Sequence, residues 1–473
     1  MPAPDMRHAL TLTLRHALAY REAEDHAPVA AHTPTDILAA RLHIPLEDSP
    51  TPAATVIDDL VAAVDGGLHS NTGGRFFGWV MGGSLPSALA ADWLTSAWDQ
   101  NAGAAAVAPA ASVVEEVAGA WLKDILHLPP EASFALVTGC QMAHVTCLAA
   151  ARHSLLAARG YDVEHDGLFG APPIRILTST ELHGTMSRAA RLIGLGERSL
   201  HLLPCDASGR LAEDTLHTAL AAAPDAPTIV LLQAGDLNIG AYDNFATLIP
   251  LSKKYNAWVH VDGAFGLWTA ACPRLAHLTR GVELADSWAT DGHKWLNVPY
   301  DCGYAFVRDP LAHRAAFAHH AAYVPQGVQT RDALDWTPEF SRRARGFATY
   351  AALRELGRSG VADLVDRCCS HAHSLATRIG ALPGAELIWE PQINQGLVRF
   401  LSPKLEPSTA DHDSFTDSVT AAILADGEAL FSNTTWRGKR CMRISVCNWQ
   451  TSDDDVTRAV DSVARILATA RAA

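Results

Sequence analysis

Short apolar runs recur through the middle of the chain, at residues 134–137, 174–179, 228–233, 257–261, 287–290 and 304–307. Each is too short for a helix and almost continuously apolar, which predicts strands buried on both faces. Segments with helical spacing separate them. In 141–158, Val145, Leu148, Ala149 and Leu155 fall on one face of a helix. Strands alternating with helices predict an α/β domain on a mostly parallel central sheet, with helices on both faces.

Beyond about residue 345 the pattern changes. A long helical stretch (350–379) leads to an apolar run at 396–401, a helix at 415–425, strand candidates near 429–432 and 441–446, and a closing helix. Thr451 and Ser452 are candidate N-caps for that last helix, with Asp453, Asp454 and Asp455 in its first turn. This predicts a smaller C-terminal α+β domain. Residues 1–105 read as mainly helical, without a strand pattern of their own. The expected division is a helical segment over 1–105, a large α/β domain over 106–350 and a small domain over 351–473.

With 473 residues, 48% hydrophobic and 19% charged, the chain is long enough for one large core and a smaller one. A formal charge of −14 repels polyanions and argues against nucleic acid or an anionic membrane as the main partner. Nine cysteines without paired CxxC spacing fit reduced thiols in a cytosol better than a disulfide framework or a zinc site. The first twenty residues carry charges throughout, and no apolar run of about eighteen residues occurs elsewhere. The expectation is a cytoplasmic protein without a resident metal.

Only six lysines occur, and five sit where solvated lysines are ordinary. Lys294 instead closes ATDGHKW (289–295), after the largely apolar run 284–289. A partly desolvated amine has a lowered pKa, which makes it a usable Schiff-base nucleophile. The strand at 257–261 ends in Asp262, so a carboxylate stands at the carboxyl edge of a buried strand, where open α/β sheets bind ligands. Lys294, ending a later strand, comes to the same edge. An amine to form an imine and a carboxylate to hold a protonated ring nitrogen are the two protein groups that pyridoxal phosphate requires. The turn Thr138-Gly139-Cys140-Gln141 feeds a helix N-terminus, whose unpaired N–H groups and dipole suit a phosphate. His183 follows the strand at 174–179, and its flat imidazole can stack on a cofactor ring.

HVDGAFG (260–266) followed by ADSWATDGHKWLNVPYDCG (285–303) resembles the group II pyridoxal-phosphate-dependent amino acid decarboxylases, the family of aromatic-L-amino-acid and glutamate decarboxylases. RFFGWVMGGSLPSALAADWL (75–94) is similar to that family's N-terminal substrate-side segment, and STELHGTMSRAARLIGLG (179–196) to the segment bearing its stacking histidine. SRRARGFATYAALRELGRSG (341–360) is similar to its Arg-rich helix entry. The likeness covers roughly residues 70 to 450. It implies the type I fold of pyridoxal-phosphate enzymes and a homodimer with a shared active site, the N-terminal segment packing on the partner subunit. By the same resemblance Lys294 is the Schiff-base lysine, Asp262 pairs the ring nitrogen, His183 stacks on the ring and Ala264 packs on its other face. Cys140, Gln141 and Asp291 fall on phosphate-contact positions, and Thr138, Gly139 and His293 join the cofactor-binding set. Tyr323, in HHAAYVPQG, matches the loop tyrosine that reaches a neighbouring subunit's site and protonates the substrate carbanion.

Three departures from the family pattern stand out. Cys140 and Gln141 replace the usual Ser or Thr hydroxyls, which leaves more of the phosphate to backbone N–H groups. Asp291 stands where aromatic decarboxylases have Asn, and a carboxylate repels a phosphate unless protonated or turned away. The segment 235–240 replaces a Thr-containing turn, making Asn238 the candidate partner of Asp262 or the cofactor. The implied reaction releases CO2 and a primary amine from an L-amino acid. Phe77, Trp79 and Trp98 are candidates for a pocket favouring an aromatic side chain, and Arg443 for holding a carboxylate; their alternative roles are core packing and a structural ion pair. An aldehyde synthase or an aminotransferase with the same cofactor is the nearest alternative, disfavoured by Tyr323 and by the 70–100 likeness. A catalytically silent binding protein is disfavoured by the joint presence of Lys294, Asp262, His183 and Tyr323.

Overall fold

Three helices, α1 (Met6–Ala23), α2 (Thr35–Leu42) and α3 (Ala53–Val64), open the computed structural model, which describes residues 6–318 and 331–472. Leu10, Leu14 and Leu18 make a stripe at helical spacing along α1 that stays exposed in the single chain, as do Val56 and Leu60 on α3. A short strand β1 (Phe76–Phe77) and helices α4 (Pro86–Trp98) and α5 (Pro109–Ile125) lead into the large domain. Contrary to the expectation of no strand before residue 105, β1 pairs in parallel with a C-terminal strand, Phe76 opposite Leu430. Two residues are too few to show a period, so the pairing partner alone defines this strand.

The large domain runs β2 (Ser133–Val137), α6 (Cys140–Ala157), α7 (Val163–Asp166), β3 (Arg175–Ser179), α8 (Gly184–Leu192), β4 (Leu200–Leu203), α9 (Glu213–Ala221), β5 (Thr228–Gln233), α10 (Phe245–Lys253), β6 (Trp258–Asp262), β7 (Ser287–Asp291), β8 (Gly303–Val307) and α11 (Pro310–Ala315). Its seven strands lie in the order β2-β8-β7-β6-β5-β3-β4. β4, β3, β5, β6 and β7 pair in parallel, and β8 runs antiparallel between β7 and β2. All six expected strands form within a residue or two of their anticipated ends. β4 is an addition, an edge strand with exposed His201 and Leu202 that breaks the apolar signature of its buried neighbours. α6 lies against the sheet with most of its side chains buried, not only the one face that its spacing showed.

The small domain comprises α12 (Gly346–Gly380), β9 (Ala385–Trp389), β10 (Gln395–Phe400), α13 (Thr409–Asp426), β11 (Leu430–Trp436), β12 (Lys439–Ser445) and α14 (Asp453–Ala472), with its sheet ordered β1-β11-β12-β10-β9. α12 is interrupted at Gly357, whose φ of 60° is left-handed. Of the two cap candidates for α14, Ser452 exchanges hydrogen bonds with Asp455 in a capping box, while the Thr451 hydroxyl donates to Gly74 O at 2.8 Å.

The arginine-rich entry to α12 ties these parts together. Arg342 is buried, its guanidinium 2.6 Å from buried Glu115 on α5, and it donates to Ala102 O and Leu136 O. Arg345 pairs with Asp301 at 2.8 Å, beside the end of the lysine loop. Removing one member of a buried pair strands the other in low dielectric, a cost of about 3–5 kcal/mol. Arg331, 3.7 Å from the same carboxylate, offsets part of this. Arg342→Met is expected to destabilise the protein by about 3 kcal/mol in chemical unfolding, and a loss below about 1 kcal/mol would show that Glu115 has no need of this partner.

Candidate active site

Parallel register sets the site. Gln233 lies opposite Asp262, and Asp262 opposite Ala289, so the carboxyl ends of β5, β6 and β7 reach the same edge side by side. Asp262 and Asp291 are the last residues of β6 and β7, and the loop after β7 brings Lys294 to the same place. A cavity of about 510 Å³ opens there. Lys294, Asp262, Asp291, His293, Ala264 and His183 line it, as do Thr138, Gly139, Cys140 and Gln141 at the start of α6. The amine and carboxylate that the sequence separates by 32 residues thus face one space.

Two glycines permit this packing. A Cβ on Gly82 would fall 1.9 Å from Lys294 O, and only glycine lets the segment after β1 lie on the lysine loop, where Gly82 N–H donates to His293 O. A Cβ on Gly303 would fall 2.4 Å from Gly139 C, so β8 can pass directly beneath the turn into α6. Asn297 fastens the same region, its Oδ1 accepting from Gly83 N–H and Trp449 N–H and its amide donating to Cys447 O. Trp79 and Val80, which also line the cavity, adopt left-handed φ of 54° and 73°, an uncommon conformation for bulky or β-branched residues.

The electrostatics differ from expectation at the lysine. Burial does lower the ammonium's pKa, but the Asp291 carboxylate, 3.2 Å from Nζ, together with Cys140 and Asp262 raises it above the ordinary lysine value. These neighbours therefore favour the charged ammonium over the free amine. Asp291 also accepts from Cys140 N–H at 2.6 Å, and its Oδ1 lies 3.5 Å from His293 Nε2. Burial opposes ionisation of Asp262, yet His144, His183, Ala264 N–H and Lys294 hold its carboxyl below the usual range. His183 is the N-cap of α8; its Nδ1 faces the Thr185 hydroxyl and accepts from Thr185 N–H, which leaves Nε2 as the protonated nitrogen when the ring is neutral. Burial pushes the His183 pKa down.

Several expected site residues lie elsewhere. Phe77 is fully buried and stacks on Phe431, 5.3 Å between centroids, because β1 is a sheet strand. Trp98 packs edge-on against Phe347 and is half exposed, outside the cavity. Asn238 turns away, its Oδ1 accepting from Thr434 and its N–H donating to Asp236, so it is no partner of Asp262. Its neighbour Leu237 lines the cavity instead. Trp79 is the one aromatic substrate candidate that lines it. Arg443 is buried on β12 with Nη1 3.5 Å from Leu237 O and no partner for Nε. Burial lowers its pKa to about 10. Tyr323 lies outside the described residues. Lys123, expected to be solvated, is half-buried and donates to Ala132 O at 2.7 Å. Tyr300, Phe265, Gln233 and Met142 line the cavity without having been anticipated. The signal for Tyr300 and Phe265 was simple nearness, since each follows a key residue by no more than six positions. Tyr300 stacks on His293 at 4.3 Å, its phenol pushed up to about 12 by burial and by Asp291.

A model of the pyridoxal-dependent decarboxylase conserved domain matches residues 36–402. The chain belongs to this family. It is a pyridoxal-phosphate-dependent amino acid decarboxylase by class, and the expected α/β fold and cofactor stand. It is 28% identical over 391 residues to an L-2,4-diaminobutyrate decarboxylase of Rhizobium meliloti, covering 80% of this chain and 74% of that one. Its structure is similar to that of Oryza sativa TDC with PLP and tryptamine, with a TM-score of 0.92, 21% identity and 99% of each chain covered. The Rhodiola rosea 4-hydroxyphenylacetaldehyde synthase gives a TM-score of 0.85 at 20% identity, again over 99% of both chains. Among the described residues no helix is long and apolar enough to cross a membrane.

The residues present fit the decarboxylase cofactor. Among the described residues Gln141 Nε2 and His293 Nδ1 are buried at the cavity without hydrogen-bond partners, and buried polar atoms left unpaired in a native site call for an external partner. Both lie where the N-terminus of α6 favours an anion. Asp291 is the group that restrains the amine, so Asp291→Asn is expected to lower the Lys294 pKa. Added to cofactor-free protein at pH 7–9, pyridoxal phosphate should then develop its visible protein-bound band faster than in the wild type, with the inflection of the rate moved to lower pH. An unchanged pH profile would remove Asp291 from this role.

Proposed function

We propose that this decarboxylase converts an L-amino acid with a flat aromatic side chain to its primary amine and CO2. One observation carries the choice of substrate. Trp79, Met81, Leu237, Phe265 and Tyr300 give the cavity a largely apolar wall, and among the described lining residues the charged groups are Lys294, Asp262 and Asp291, which are already matched to one another or to the cofactor. A glutamate-like side chain needs a further cation there, and a diaminobutyrate-like one a further carboxylate. An aromatic ring needs neither.

When bound, the cofactor supplies an electron sink for the pair left behind as CO2 departs. The chain's own groups do the rest. Lys294 would hold the cofactor through its side-chain amine. Asp262 holds a proton on the ring nitrogen, His183 stacks on the ring, and Ala264 is small enough to admit its other face. Cys140 N–H, Gln141 Nε2 and His293 hold the phosphate, which requires Asp291 to yield the Cys140 N–H. Arg443 is the candidate for holding a substrate carboxylate; its Nη1 lies 3.5 Å from the carbonyl of Leu237, which lines the cavity. Tyr323 delivers the proton to Cα.

The same reading includes a homodimer in a reducing compartment such as the cytoplasm. The exposed apolar residues Leu10, Leu14 and Leu18 on α1, Val56 and Leu60 on α3, and Trp93 and Leu94 on α4 support a partner surface. All nine cysteines are free.

A decarboxylation screen tests the substrate. L-tryptophan, L-tyrosine, L-phenylalanine and L-dopa are expected to release CO2 at least tenfold faster than L-glutamate or L-2,4-diaminobutyrate, a preference of order 1.4 kcal/mol in the transition state. Lys294→Ala should lose both turnover and the visible cofactor band. Faster turnover of either charged substrate would discard the aromatic assignment. Tyr323→Phe separates amine from aldehyde formation: amine should be lost and aldehyde gained under oxygen, whereas unchanged amine output would point to another acid, with Tyr300 the first to examine.

A further inference from the structure

Behind Asp262, on the side away from the cavity's mouth, two fully buried histidines have no part in the proposed chemistry. His144 comes from the second turn of α6, and His260 from β6, two residues before Asp262. His144 Nδ1 lies 3.0 Å from His260 Nε2, and His260 Nδ1 lies 2.9 Å from Ser287 Oγ. Ser287 Oγ in turn accepts the indole N–H of Trp258 at 2.9 Å. At the other end, His144 Nε2 is 3.6 Å from Asp262 Oδ2 and 3.3 Å from Cys140 Sγ.

We propose that His144 and His260 are positioning residues for the cofactor ring: a buried hydrogen-bond chain from Trp258 through Ser287, His260 and His144 aims a fixed N–H at Asp262 and keeps that carboxylate ionised and oriented toward a protonated ring nitrogen. This rests on the reading that Asp262 serves pyridoxal phosphate.

The chain's direction follows from donor counting. Burial holds both imidazoles neutral, so each has one N–H and one lone pair. A lone pair facing a buried carboxylate is unfavourable, so His144 carries its proton on Nε2, with the thiol of Cys140 the weaker of its two neighbours. Nδ1 of His144 then accepts from His260 Nε2–H. Nδ1 of His260 accepts from the Ser287 hydroxyl, and Ser287 uses a lone pair for Trp258, which can only donate. Every polar atom along the chain has a partner in this arrangement. Reversing it turns a lone pair on Asp262. At 3.6 Å the last step is an aimed N–H dipole and not a short hydrogen bond. His183, Lys294 and Cys140 are the other titratable groups around this carboxylate, and Ala264 N–H occupies its Oδ1 at 3.1 Å. Of these, the Cys140 thiol shares the side that His144 covers, its Sγ 3.3 Å from His144 Nε2, and a thiol is the weaker donor to a carboxylate.

The test compares pyridoxal phosphate with its carbocyclic analogue, in which CH replaces the ring nitrogen, by equilibrium binding to the full-length cofactor-free protein. His144→Leu should weaken pyridoxal phosphate about fivefold and leave the analogue unchanged, and His144→Gln, whose amide can still donate, should restore most of the loss. Equal losses for both ligands, no loss for either, or identical behaviour of Leu and Gln would overturn the proposal. A measurement on the unsubstituted protein stands independently of whether the variants fold. With 15N-labelled histidine, both rings should give the neutral Nε2–H tautomer, and an Nδ1–H signal for His144 would overturn the chain. If the wild type itself forms no Lys294-dependent visible band with pyridoxal phosphate, the functional reading falls and this proposal with it; if it forms the band but fails the comparison, this proposal falls alone.

Discussion

Two carboxylates are buried at one edge of the sheet, and the surrounding structure is arranged to give both hydrogen-bond or ionic partners. Water would do this cheaply at the surface, but inside the protein each lone pair needs a donor. Asp291 takes the first N–H of α6 and the Lys294 ammonium. Asp262 takes Ala264 N–H, with imidazoles and the same lysine nearby. These demands explain why a helix N-terminus, a lysine and several histidines converge on one edge of the sheet.

Much of this was legible because it is local. Strands β2, β3, β5, β6, β7 and β8 are continuous apolar runs buried on both faces, and their ends carry Asp262, Asp291 and the turn into α6. Parallel strands share a carboxyl edge, so a residue's position at the end of its strand already says which side of the sheet it occupies. That reasoning fails for Asn238 and Leu237. Both lie in an irregular turn where Asp236 accepts three backbone N–H groups, and which neighbour faces the cavity depends on that cage of bonds rather than on any period. It fails for Phe77 too, since β1 exists only through its pairing with β11.

The lysine's charge was read wrongly for a related reason. Desolvation was inferred from the apolar run before Lys294, and the structure contains that effect. What the run does not show is the partner three positions earlier. Asp291 ends β7 and Lys294 lies on the loop that turns back over it, so the two side chains meet at 3.2 Å. Coulomb attraction at that distance in a partly buried site exceeds the loss of hydration. A sequence reader sees Asp and Lys at i and i+3 and has no way to tell a loop that brings them together from one that does not.

The same ion pair bears on how the cofactor is received. On the proposed reading, a phosphate dianion at α6 competes with the Asp291 carboxylate for Cys140 N–H. Gln141 Nε2 is buried at the same cavity without a partner among the described residues, a donor that the Asp291 carboxylate does not use. A dianion with three oxygens can engage that donor as well. Asp291 then keeps its stabilising contact only where it can turn toward the lysine or His293. On that reading two anions compete for one helix end, beside the stacked rings of Tyr300 and His293.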